Sequence, residues 1–103
     1  MTHLADVQQR AWAAKLRHGF NTTDVLADVG RLRGEVDEFE QAYRGGDLDG
    51  ASLELADIVI YAAGLADMIG VNLDHAVTRK QQIIEQRTYQ RDPATGRLVK
   101  VSL

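Results

Sequence analysis

Two pairs of acidic residues carry most of the chemistry this sequence offers. Glu35 and Glu38 stand in "GEVDEFEQA", and Glu54 and Asp57 in "ELADIVIYAAG". Members of each pair are three residues apart, so on a helix each pair shares one face. The second pair stands out, because residues 53–66 are otherwise apolar or small at every position except Tyr61. Like charges repel, and burying an ionised carboxylate without compensation is very costly. Four such groups brought together must take up protons or draw in cations. Hard divalent cations with all-oxygen shells suit a carboxylate set, which means Mg²⁺ or Mn²⁺. A di-iron bundle would need Glu-x-x-His pairs. Neither His3, His18 nor His75 follows a Glu by three residues.

Helices must position these acids. Pro93 is the single proline, and the glycines cluster between periodic segments. The spacing predicts a first helix over 2–18, with Leu4, Val7, Ala11 and Ala14 on one stripe and Gly19 as a left-handed stop. "NTTD" at 21–24 offers N-cap oxygens for a second helix. Its seam of Val25, Val29, Leu32, Val36, Phe39 and Tyr43 alternates steps of four and three. "RGGDLDG" then reverses the chain into a third helix over 48–69. That helix is apolar on nearly every face, which predicts burial all round. A protomer of four helices can hardly surround one of them, so an oligomer is expected. "GVNLD" turns the chain, with Asn72 or Asp74 as cap, into a fourth helix reaching about residue 89. A turn at 93–96 and one short extended segment follow. The expected fold is all-α: an antiparallel, four-helix-bundle-like protomer forming a single domain over 1–103, with a short extended tail over 90–103.

A short loop makes the second and third helices antiparallel neighbours. With Gly46 as midpoint, Glu38 comes opposite Glu54 and Glu35 opposite Asp57. One hairpin then gathers all four acids in a single groove. On the fourth helix Lys80 and Arg87 share a stripe with Leu73, Ala76 and Ile83. Snorkelling explains such cations, as does binding of phosphates that complete a Mg²⁺ shell. Trp12 and Lys15 precede the second helix; Trp12 is a core anchor or an aromatic face for a nucleobase.

Other classes are excluded. No cysteine is present, so disulfides, thiolate metal sites and thiol catalysis drop out. Net charge is −3 with both signs interspersed, which leaves no broad basic surface for a nucleic acid polymer or a membrane. The glycine-containing turns lack the features of a phosphate loop, and no Gly-x-Ser-x-Gly elbow occurs. The opening "MTHLADVQQR" has no apolar signal core, and the apolar run is short of the roughly 20 residues a bilayer needs. A cytoplasmic protein is expected.

Three stretches, "GEVDEFEQAYRGG", "ELADIVIYAAGLADMIGVNLDHAV" and "RKQQIIEQRTY", resemble the MazG-like all-α nucleoside triphosphate pyrophosphohydrolases. That family is marked by Glu-Glu-x-x-Glu, a spacer and Glu-x-x-Asp, and the resemblance covers about 12–89. It implies Mg²⁺ ligation by Glu35, Glu38, Glu54 and Asp57, and a homodimer or homotetramer. It also implies cleavage of a nucleotide substrate between the α and β phosphates, as in clearance of non-standard or excess nucleotides. Lys80, Arg87 and Tyr89 look like the family's basic and aromatic residues near the end of the fourth helix, which approach the phosphates. Gly34 stands where the family usually has its first Glu, and Ile84 where many members carry Asn. In the expected mechanism the metals clamp the triphosphate and acidify a water, and Glu38, with Glu35 beside it, provides the base. Two alternatives remain: phosphoribosyl-ATP pyrophosphatase, and a non-catalytic helical module that binds a metal or nucleotide.

Overall fold

A computed structural model describes residues 3–101. The described residues form four helices and one strand pair: α1 Leu4–His18, α2 Val25–Arg44, α3 Leu48–Met68, α4 Leu73–Glu85, β1 Tyr89–Arg91 and β2 Leu98–Lys100. The all-helical expectation holds, with a strand pair added. None of the helices among the described residues is long and apolar enough to cross a membrane.

The helix boundaries follow from local chemistry. α1 begins at Leu4 after His3; residue 2, placed in this helix by the sequence, lies outside the described residues. Gly19 ends it at φ 70°, in the left-handed region that costs a Cβ-bearing residue energy. Asp24 caps α2, accepting a hydrogen bond from Ala27 N at 3.1 Å. Asp47 caps α3 through Gly50 N at 2.9 Å. Between them Gly46 takes φ 76°, which lets the chain reverse within three residues and lays α2 antiparallel to α3.

The chain forms two compact units that divide after Leu73. In the first, α3 packs against both α2 and α1. Its buried apolar residues, Ala11, Ala51, Ala63 and Ala66, are all alanines. The largest fully buried side chain is Asp28. α3 is therefore not surrounded, contrary to its all-round apolar pattern: Leu53, Leu55, Val59 and Ile60 stay 43–63 % exposed.

The second unit holds α4 and an antiparallel hairpin in which Tyr89 pairs with Lys100 and Arg91 with Leu98. Two expectations are corrected here. α4 stops at Glu85 instead of reaching 89, and the tail contains two strands instead of one extended segment. Strand pairing causes both, because Thr88 O accepts from Val101 N at 2.9 Å and so draws this stretch out of the helix.

Candidate metal centre

Glu35 and Glu38 project from the middle of α2 and Glu54 from the second turn of α3. The hairpin brings one carboxylate oxygen of each to within 4.8 Å of the other two. Glu35 and Glu54 are half-buried and Glu38 is exposed. Glu35 Oε2 and Glu54 Oε2 are both withdrawn from solvent without a hydrogen-bond partner. The Glu35 carboxyl is pushed up from 4.5 to about 7. Its hydrogen bond with Glu54 is the main cause; burial, and then the hydrogen bond and charge of Glu38 and the charge of Asp57, add to it. Without a cation, then, the Glu35 carboxyl keeps its proton well above the usual carboxylate range.

The set fits a hard divalent ion. Its donors are all oxygens, they converge, and two of them are orphaned without one. Glu38 and Glu54, matched across the loop by spacing, do converge, and Glu35 joins them. Asp57, matched with Glu35, lies within electrostatic reach of it but outside the close trio. Asp57 also lines a cavity of about 240 Å³ with Lys15, Phe20, Arg31, Ile60 and Tyr61. Burial, with the Glu35 charge next, pushes the Tyr61 phenol up, so it stays a donor. Gly34 is exposed, and a Cβ there would meet nothing within 4 Å.

Behind the cavity lies a network that sequence reasoning missed. Lys15 Nζ donates to Asp28 Oδ2 and to Asn21 O, each at 2.6 Å. Asn21 Nδ2 donates to Asp28 Oδ1 at 3.0 Å. Burial alone raises the Asp28 pKa, but the hydrogen bonds from Lys15 and Asn21 and the charges of Lys15 and Arg31 outweigh it and hold it below 3.8. A signal was present: Lys15 continues the Val7–Ala11 stripe by one turn, and Asp28 lies between Val25 and Leu32 on the seam of α2. Opposite charges on two apolar faces point to a buried pair.

The remaining predicted residues lie on other elements. Trp12 lines a separate cavity of about 480 Å³ with Gln8, Asp67 and Val71, so Trp12 and Lys15 do not share one pocket. There Gln8 donates to Asp67 Oδ1 and Val71 O and accepts from Leu73 N, which ties α1 to the end of α3. Lys80 is exposed on α4, Arg87 lies two residues beyond its end, and Tyr89 is in β1. The expected helical stripe therefore stops short of Arg87. His18 stacks on Phe20 at 5.1 Å.

No protein-family model matches the chain, and no curated protein or solved structure matches it either. The likeness to MazG-like enzymes accordingly rests on the motif residues.

Proposed function

We propose that this chain is a Mg²⁺-dependent nucleoside triphosphate pyrophosphohydrolase, with Mn²⁺ as a possible substitute metal, releasing a nucleoside monophosphate and pyrophosphate. The observation that carries this reading is the carboxylate trio with two orphaned oxygens. A buried acceptor without a donor costs stability, and a divalent cation bound by Glu35, Glu38 and Glu54, with Asp57 beside them, would satisfy both. Such an ion supplies neutralisation of phosphate charge and an acidified water. The chain's own residues do the rest. Glu38, the exposed member, is open to solvent, which supports it as the base that would accept a proton from the attacking water. Glu35 and Glu54 are held facing each other by the hairpin. The cavity at Asp57 offers room for the remainder of the nucleotide, between Phe20, Ile60 and Tyr61. Lys80, Arg87 and Tyr89 enter this reading by the motif resemblance alone.

The reading includes a homodimer or homotetramer. A core of alanines buries little apolar area, and small units without a sufficient core need a partner.

The test is pyrophosphate release from a panel of ribo- and deoxynucleoside triphosphates, with Mg²⁺ and with chelator, beside Glu54→Gln. Metal-dependent release that is lost in the variant is expected. Release that survives chelation, or that survives Glu54→Gln, overturns the assignment of this site. Release from phosphoribosyl-ATP alone would move the substrate to that rival.

A further inference from the structure

We propose that Arg31 grips the phosphates of the substrate, an inference that rests on the metal-site reading above. A polyphosphate keeps negative charge beyond what one divalent ion cancels, so the site needs a cation of its own. Two cations line the cavity at Asp57, Lys15 and Arg31. Lys15 is committed: its side chain is 10 % exposed and its ammonium is bound to Asp28 and Asn21. Arg31 is not. Its side chain is 56 % exposed, and its one ion contact among the described residues is a long 3.7 Å approach to Asp28 Oδ1. That oxygen already accepts from Asn21, and its partner oxygen from Lys15. The guanidinium donors are thus largely unspent.

Position supports the role. Arg31 precedes Glu35 by four residues, one helical turn of about 5.4 Å along the same face of α2. A phosphate held by a metal on Glu35 would come within reach of its fork. Arginine binds phosphate through two parallel N–H···O bonds, which a lysine cannot reproduce. Loss of Arg31 should leave the fold intact, because Asp28 keeps both closer partners.

The experiment is calorimetric titration of the full chain, first with Mn²⁺ and then with inorganic pyrophosphate in saturating Mg²⁺, for the wild type, Arg31→Gln and Arg31→Lys. Arg31→Gln is expected to bind pyrophosphate about 10- to 100-fold more weakly, with Arg31→Lys recovering part of the loss. Mn²⁺ affinity should hold or rise, since a nearby positive charge has been removed. These opposite directions separate phosphate binding from a structural role. Equal loss of Mn²⁺ and pyrophosphate affinity in Arg31→Gln would assign Arg31 to the fold and overturn the proposal. So would pyrophosphate affinity within twofold of wild type while Mn²⁺ still binds. A wild-type chain that binds no Mn²⁺ would instead bring down the metal site and, with it, the role of Arg31.

Discussion

Lys15 and Asp28 show how one residue pair fixes the wall of the candidate site. Asp28 is 0 % exposed and reaches the interior only because Lys15 and Asn21 meet both its oxygens. The lysine stem crosses Gly64 on α3, where a Cβ would stand 2.9 Å from Lys15 Cε. The residues at 15, 28 and 64 therefore require one another, which joins all three helices at a single point. Removing the ammonium leaves a buried carboxylate without its charged partner, and breaking such a pair costs about 3–5 kcal/mol. Lys15→Met is expected to lose about that much in urea unfolding, while Lys15→Met/Asp28→Leu recovers most of it. Equal loss in the two variants would show that packing of the stem, not the ion pair, does the holding.

At the scale of elements, the α2–α3 hairpin was legible because its loop is short and carries glycine where the chain reverses. That constraint brings Glu35 and Glu38 to Glu54 whatever the finer packing. Spacing matched Glu38 with Glu54, and these two converge, with Glu35 drawn into the same trio. Asp57 keeps electrostatic reach of Glu35 without joining the three. The end of α4 was hidden. No breaker stands at Gln86 or Arg87, and the stop comes from pairing with residues ten or more positions further on. Apolar residues all round α3 likewise predicted burial, yet one chain supplies too few neighbours. Leu48, Leu55 and Val59 form one stripe that remains 69, 49 and 43 % exposed. If a second copy covers it, Leu55→Glu/Val59→Glu should reduce the mass seen by light scattering to that of one 11.4 kDa chain, with helicity kept. A wild-type chain already at that mass would refute the assembly.

For the molecule as a whole, the carboxylate cluster links stability to pH and metal together. Glu35 titrates at about 7 in the folded, metal-free chain against 4.5 ordinarily, chiefly through its hydrogen bond with Glu54. Between those values the folded chain holds a proton that the unfolded chain has released. The stability this group contributes is therefore complete below 4.5 and is lost as pH rises through about 7. Asp28, lowered instead of raised, acts outside that window: its contribution is present above 3.8 and disappears as pH falls below it. Mg²⁺ has the opposite dependence to the Glu35 proton, because it competes for the same oxygens and binds the ionised form. Its stabilisation grows with the ratio of its concentration to Kd, and hence with pH. In chelator, the melting temperature is expected to fall from pH 5 to pH 8. With millimolar Mg²⁺ the fall should shrink or reverse, so that the gap between the two curves is widest at pH 8. Glu35→Gln, which cannot titrate, should flatten the chelated curve and narrow the gap. Mg²⁺ stabilisation that is constant across pH, or unchanged by Glu35→Gln, would mean that the ion sits elsewhere on the protein and that the trio does not hold it.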